Sequence, residues 1–120
     1  MKQYMLSVHG AQGDPLPPPD VMQKMYDDVD KVNQEMMAKG AWVFGGGLTD
    51  PSDATVVRVE KGQPVLTDGP FVETKEALGG YYLIEAESLD EALEWAARIP
   101  SAREGAVEVR PVVMREVEVA

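Results

Sequence analysis

The chain of 120 residues lacks cysteine and has one histidine, His9. Without cysteine there are no disulfide bonds, thiol nucleophiles or cysteine-ligated zinc, and one imidazole excludes an intrachain multi-histidine site. The sequence also has no basic cluster, and no apolar run long enough for a signal peptide or a membrane span. We therefore expect a cytoplasmic protein with no metal, no other cofactor and no membrane contact.

Charge and length narrow the class further. Acidic residues number 21 against 11 basic ones, a formal net charge of −10. A nucleic-acid backbone requires a positive protein face, so nucleic acid is not expected as a partner. Acidity keeps a small protein soluble and does not identify a partner. The length predicts a single domain, residues 1–120, large enough to bury a core.

Hydrophobic periodicity predicts four strands, two helices and one hairpin. The predicted elements are strands at 2–9, 41–48, 81–86 and 106–113, a hairpin at 55–60 and 63–67, and helices that begin at Asp20 and Ser88 and end at Gly40 and Pro100. This order predicts an α+β ferredoxin-like (split βαβ) fold, an antiparallel sheet with two helices on one face and an inserted β-hairpin.

The starts of the two helices and their buried apolar stripes are predicted from known sequence signals. Asp20 with Gln23, and Ser88 with Glu91, have the spacing of capping boxes. The predicted buried stripes are Met22, Met25, Val29, Val32 and Met36 in the first helix, and Leu89, Ala92, Leu93, Ala96 and Ile99 in the second, with Trp95 beside them. The three glycines after Phe44 indicate a bulge or a strand end.

The strand at 81–86 is apolar on both faces, so both faces need a cover. Because two helices cover only one face, we expect a second copy of the chain on the other, in a homodimer that resembles a dimeric α/β-barrel. Strand alternation and topology place Ser7 and His9 beside Glu108 and Arg110 on that second face. With Met5, Tyr81 and Leu83 nearby, they suggest a mixed cavity for a small organic ligand with one polar end.

The stretch from residue 67 to 85 combines a turn, a charged segment and a strand. Its motifs are Asp68-Gly69-Pro70-Phe71, Glu73-Thr74-Lys75-Glu76 and Gly79-Gly80-Tyr81, and later ones are Ser88-Leu89-Asp90-Glu91-Ala92, Trp95-Ala96 and Glu108-Val109-Arg110-Pro111-Val112. Together they closely resemble the DGPF branch of the YCII-related family. The resemblance implies a small ferredoxin-like protein, usually dimeric and mostly without an assigned role. Similar proteins are sometimes joined to, or found beside, extracytoplasmic sigma factors, which implies regulation through protein contacts.

His9 and Asp68 form the one candidate catalytic pair, since an imidazole can exchange protons near neutral pH if a carboxylate fixes its tautomer. The broader family implies a histidine-aspartate pair with the histidine in or near the first helix. Residues 20–39 contain none, so the family role carries over to Asp68 alone. The structural alternatives are a hydrogen-bonded His9 and an Asp68 that braces its own turn.

The candidate ligand-binding residues are Ser7, Asp68, Gly69, Pro70, Phe71, Glu73, Lys75, Tyr81, Glu108 and Arg110. Arg110 is expected either to pair with Glu108 or, unpaired, to bind an anion. Two functions follow. The first is a homodimeric module that binds a small molecule or a protein partner, in a regulatory role beside a sigma factor. The alternative is a metal-independent enzyme that acts on a small substrate, aromatic or not, through His9 and Asp68.

Overall fold

The computed structural model describes residues 1–11, 17–72 and 76–113. Within these ranges the chain forms six strands and two helices. The strands are β1 (Lys2–Ala11), β2 (Trp42–Gly47), β3 (Thr55–Glu60), β4 (Gln63–Asp68), β5 (Glu76–Ala86) and β6 (Ala106–Pro111), the helices are α1 (Pro19–Ala38) and α2 (Leu89–Arg98), and short 3₁₀ turns lie at Pro51–Asp53 and Pro100–Arg103. None of the helices in this part of the chain is long and apolar enough to cross a membrane.

The main sheet is antiparallel with strand order β2-β5-β1-β6. The central strand β1 therefore lies between the strands that precede and follow α2, as predicted. Ser7 lies opposite Tyr81 on one side and Glu108 on the other. Strands β3 and β4 form a separate two-stranded sheet. This topology confirms the ferredoxin-like α+β fold with an inserted hairpin.

One face of the main sheet packs against both helices and forms the core. The buried members include Tyr4 and Leu6 of β1, Tyr82, Ile84 and Ala86 of β5, Val32 and Met36 of α1, and Ala92, Trp95 and Ala96 of α2. Arg98 joins the helices, because its guanidinium lies 4.7 Å from the Trp95 ring centroid and pairs with Glu35 of α1. The opposite face, called here the open sheet face, carries Met5, Ser7, His9, Phe44, Tyr81, Leu83, Glu108 and Arg110.

The helix starts were predicted with mixed success. Ser88 caps α2, since its Oγ accepts from the Glu91 N–H at 3.3 Å. The predicted cap at Asp20 is wrong, because α1 begins one residue earlier at Pro19 and Pro18 makes no side-chain cap. A proline at the first helical position has a preset φ and no N–H that needs a partner, so the helix starts there. Gln23 donates instead to Asp27, at 2.9 Å.

The predicted buried stripes were partly wrong. Met25 is 41% exposed, and Leu89 and Leu93 are each 46% exposed, whereas Trp95 is buried. Helix α2 turns its Ala92, Trp95 and Ala96 face to the sheet, because two small side chains leave room for one large ring.

Strand β5 begins at Glu76, five residues earlier than predicted, so Gly79 and Gly80 lie inside the strand. The register of β1 with β5 shifts between Val8 and His9, which pair with Gly80 and Leu78. Gly79 is thus the extra residue of a β-bulge, a position where glycine is common.

Candidate ligand-binding cavity

A cavity of about 540 Å³ lies at the end of the main sheet where β1 stops and β5 begins. The sheet end supplies one wall, with His9 and its pairing partner Leu78. The segment from Leu48 to Ala54 supplies the second wall, and Pro70, Phe71 and Val72 supply the third. The volume falls within the range of small-molecule sites, roughly 300 to 1,000 Å³.

Backbone bonds and one side chain fix the second wall. The Leu48 N–H donates to the Gly79 carbonyl at 2.9 Å, which ties the wall to β5. Asp50 Oδ1 accepts from the backbone N–H of Ser52 at 2.9 Å and from its hydroxyl at 2.7 Å. This aspartate turn closes the 3₁₀ turn that starts at Pro51.

The third wall follows from the Asp68-Gly69-Pro70-Phe71 motif. The Gly69 N–H donates to the Ala54 carbonyl at 2.7 Å, and a Cβ on Gly69 would lie 2.8 Å from the Ala54 Cβ. Only glycine allows this approach. The Gly69–Pro70 peptide bond is cis. Phe71 follows, with its ring centroid 5.3 Å from the Arg58 guanidinium carbon.

The cavity is mostly apolar and its charged groups are acidic. Its carboxylates belong to Asp50, Asp53 and Glu76, and none of the described lining residues is lysine or arginine. The backbone hydrogen bond from Ser52, and then the hydroxyl bond, lower the pKa of Asp50 from its ordinary value. These two bonds favour the ionised form of Asp50.

The structure separates the predicted site residues into two groups. His9, Pro70 and Phe71 line the cavity. Asp68 lies exposed at the end of β4, opposite Thr55, and within the described ranges no hydrogen bond joins it to His9. Gly69 shapes the turn through its backbone. Glu73 and Lys75 lie outside the described residues.

The second group lies on the open sheet face rather than in the cavity wall, and its members are Ser7, Tyr81, Glu108 and Arg110. Arg110 is opposite Met5, four residues from His9 along β1, a distance of roughly 13 Å. Its Nη2 lies 3.2 Å from Glu108 Oε1. The expected Glu108–Arg110 pair is present, and it provides no charge in the cavity.

Sequence reasoning missed the second wall. Thr49-Asp50-Pro51-Ser52 has the composition of a turn, and nothing in that motif alone indicates a functional role. The available sequence signal was a second turn motif that contains aspartate and proline. It precedes the hairpin, whereas Asp68-Gly69-Pro70 follows the hairpin, so both turns lie at the hairpin base. Across the described ranges, no three histidine, aspartate or glutamate side chains are grouped so that they could hold a metal ion.

Fold and cavity together define a small ferredoxin-like α+β protein with an acidic, largely apolar cavity at the end of its sheet. The chain belongs to the YCII-related family, whose model matches residues 3–116. This confirms the YCII-related family that the sequence motifs indicated. An uncharacterised protein of Rhizobium meliloti (strain 1021) is 35% identical over 94 residues, which cover 77% of this chain and 76% of that protein.

A solved structure is also similar, namely 5-chloro-2-hydroxyhydroquinone dehydrochlorinase from Burkholderia phenoliruptrix AC1100 in complex with 2,5-dihydroxybenzoquinone. Its identity to this chain is 17%, the match covers 90% of each chain, and the TM-score is 0.49. A likeness at this level says nothing about function.

Proposed function

We propose that this protein is a homodimeric binding module whose cavity accepts a small, uncharged or cationic molecule with an apolar body. The observation that carries the proposal is the cavity lining. Leu48, Phe71 and Leu78 supply apolar surface, and His9 supplies a hydrogen-bonding group. Among the described lining residues, the other ionisable side chains are carboxylates. This composition suits a small aromatic or aliphatic ligand with a hydroxyl or amino group.

The homodimer is part of the proposal. Met5, Tyr81 and Leu83 lie half-buried on the face away from the helices, and a second copy is the simplest cover for them. Light scattering on a sizing column at micromolar concentration tests it. We expect the mass of a dimer, about twice 13.1 kDa, and a monomer would contradict the proposal.

A regulatory role beside a sigma factor remains a finer proposal of the same kind. In this role the small molecule is the signal. The turn that contains Phe71 lines the cavity and also reaches solvent, so it is the surface that a protein partner would contact. Ligand-dependent chemical shift changes at Phe71 would support this, and changes confined to His9 and Leu78 would contradict it.

A matched ligand set tests the cavity itself. Benzyl alcohol, benzylamine and benzoate differ mainly in charge, so ligand-observed NMR separates electrostatics from apolar contact. We expect the neutral and cationic compounds to bind and benzoate to bind at least about tenfold more weakly, a difference of about 1.4 kcal/mol. Tighter binding of benzoate, or binding of none of the three, would overturn the proposal.

Two tryptophan variants control for the place of binding. Leu48 lines the cavity and is 47% exposed, whereas Leu93 lies on α2 and is 46% exposed. Leu48→Trp should fill the cavity and abolish binding, and Leu93→Trp should leave it unchanged. Equal effects of the two variants would place the ligand elsewhere.

The second candidate is a metal-independent enzyme that uses His9 and Asp68 for acid-base chemistry. The placement of His9 in the cavity wall favours it, although Asp68 would have to reach the cavity from the exposed end of β4. The same NMR samples, followed for a day, distinguish the two. Conversion of a bound compound that stops in His9→Gln and Asp68→Asn, with thermal unfolding unchanged, would favour the enzyme, and unchanged ligand favours the module.

A further inference from the structure

Phe71 belongs to the wall of the cavity, yet most of its surface is exposed. The residue lines the cavity beside Pro70, and its exposed fraction is 73%. An exposed aromatic side chain keeps apolar area in contact with water, and covering that area is favourable. A ligand that contacts Phe71 would therefore remove apolar surface of the protein, as well as its own, from water.

Arg58 contacts the ring of Phe71 from outside the cavity. Its guanidinium carbon lies over the ring, 5.3 Å from the centroid, which is the geometry of a cation–π contact. Phe71 lines the cavity, whereas Arg58 is not one of the described lining residues. The guanidinium and the cavity therefore meet the ring on different sides.

The β3–β4 hairpin and the residue before it supply two contacts that fix the position of Phe71. The Gly69 N–H donates to the carbonyl of Ala54, the residue that directly precedes β3. Arg58 lies in β3, on the hairpin face that it shares with Glu60, here called the polar face. Because the turn is anchored at its start and the ring is held by a guanidinium, Phe71 presents a defined surface to the cavity.

We propose that Phe71 is an aromatic platform on which a ring of the ligand packs, and that Arg58 is the positioning residue that holds this platform. The inference rests on the proposed function and deepens it, because it selects an aromatic ligand body over an aliphatic one. Two aromatic rings attract each other beyond the apolar area that they bury, in offset-stacked or edge-to-face contact. A saturated ring lacks this attraction.

The other two walls of the cavity suit the same ligand. Leu48 and Leu78 supply apolar surface for the part of the ring that Phe71 does not contact. His9, the pairing partner of Leu78, supplies a group that can exchange a hydrogen bond with a polar substituent. The class of ligand is therefore a small aromatic compound that carries a hydroxyl or amino group.

A pair of neutral alcohols provides the first test. Benzyl alcohol and cyclohexylmethanol have the same carbon skeleton and the same hydroxyl group, and they differ in whether the ring is aromatic. In titrations followed by ligand-observed NMR, we expect benzyl alcohol to bind the native protein at least about threefold more tightly. Equal affinities, or tighter binding of cyclohexylmethanol, would overturn the platform.

Four variants separate the ring from the group that holds it. Phe71→Leu keeps an apolar side chain without a ring, so it should abolish the preference for benzyl alcohol. Arg58→Gln should lower the preference at least about twofold, whereas Arg58→Lys keeps a cation that can lie over the ring and should retain most of it. Lys61→Gln removes the same charge from the hairpin turn and should leave the preference unchanged.

Thermal unfolding should be the same in all four variants, because Arg58, Lys61 and Phe71 are exposed. Equal effects of Arg58→Gln and Lys61→Gln on the preference would overturn the positioning role of Arg58. An undiminished preference in Phe71→Leu would overturn the platform.

Nuclear Overhauser effects on the native protein provide a test that needs no change of affinity. The chain has two phenylalanines, Phe44 and Phe71, so the Phe71→Leu variant assigns both ring signals in protein labelled at phenylalanine. Phe44 is the internal control, since it is 50% exposed and contacts Tyr81 on the open sheet face. We expect effects between the benzyl ring protons and Phe71 alone. Effects to Phe44 alone, or to neither ring while benzyl alcohol binds, would overturn the platform.

The proposed function and the platform fail in different ways. If neither alcohol and no benzylamine binds, both are overturned. If benzyl alcohol binds and Leu48→Trp abolishes the binding, but cyclohexylmethanol binds equally well, the cavity stands and the platform alone is wrong.

Discussion

Tyr82 is a tyrosine that the fold keeps in its neutral form. Burial is the main cause that raises its pKa, a side-chain hydrogen bond with Asn33 lowers it, and the charge of Asp30 raises it. Because the pKa is higher in the folded state, the neutral Tyr82 phenol contributes to the free energy of unfolding below the unfolded pKa of about 10. This contribution is lost as pH rises through the folded pKa.

The prediction is a Tyr82-dependent loss of stability at alkaline pH. Free energies of unfolding, measured in urea between pH 8 and 11, should fall for the native protein, and Tyr82→Phe should flatten that fall. At pH 8, where the tyrosine is neutral, the free energies of unfolding of the two proteins should differ by no more than about 1 kcal/mol, because the variant lacks one hydroxyl.

Tyr26 offers the matched control, since it is 57% exposed on α1. Tyr26→Phe should reproduce the native pH profile. If Tyr82→Phe retains the full alkaline loss, the loss belongs to other groups and the prediction is wrong.

For the single residue His9, the sequence predicts the sheet face on which it lies but not the side chains that surround it. Alternation along β1 puts His9 on the face away from the helices and near the strand end, and this follows from local geometry alone. The separation of Asp68 from the cavity depends on how the hairpin leaves the sheet, which is a tertiary property. The motif therefore identified the turn, whose Pro70 and Phe71 line the cavity, without showing which of its side chains face inward.

Among the elements, the three glycines of β2 show what a pattern can and cannot tell. The three glycines are predicted to be a bulge or a strand end, and they are the last three residues of β2, so the strand end is correct. The register irregularity falls before them, between Trp42 and Phe44. Gly45 has a packing role, since a Cβ there would meet the Tyr81 carbonyl oxygen at 2.9 Å, Trp42 at 3.0 Å and Tyr82 at 3.1 Å.

This difference predicts unequal costs of alanine along one strand. Gly45→Ala should destabilise the protein by about 1 to 3 kcal/mol, because backbone and two rings must shift. Gly47→Ala should be neutral or stabilising by up to about 1 kcal/mol, because its Cβ meets only the Gly79 carbonyl oxygen at 3.9 Å. Chemical denaturation of the two variants is the measurement, and similar losses in both would contradict this account of the packing.

Strand order, helix count and the hairpin turn were predictable because periodicity and turn residues act locally. The start of β5 was not, because glycines 79 and 80 suggest a break, and only pairing with β1 and β2 keeps them in the strand. The same holds for the exposed Leu89 and Leu93. Spacing shows that a stripe exists, whereas the position of the sheet decides which edge of it is buried.

For the whole molecule, exposed apolar surface and net charge have opposite effects on association. The hairpin and the open sheet face expose apolar surface that favours association, while a net charge of −10 per chain opposes it. In the proposed dimer the interface is nearly uncharged, so the repulsion arises between charges spread over the rest of each protomer. Repulsion of this kind acts over distance and is screened by salt.

The proposed dimer should therefore become tighter as ionic strength rises. The screening length falls from roughly 30 Å at 0.01 M salt to roughly 10 Å at 0.1 M, so most of the change should occur in that interval. Sedimentation equilibrium in 10 to 300 mM sodium chloride should show the dissociation constant falling several-fold, with little further change above 150 mM. A Glu60→Gln variant, which removes one exposed carboxylate on the polar face of the hairpin, should reduce this dependence. A dissociation constant that rises with salt would mean that ion pairs across the interface, rather than apolar contact, hold the two copies together.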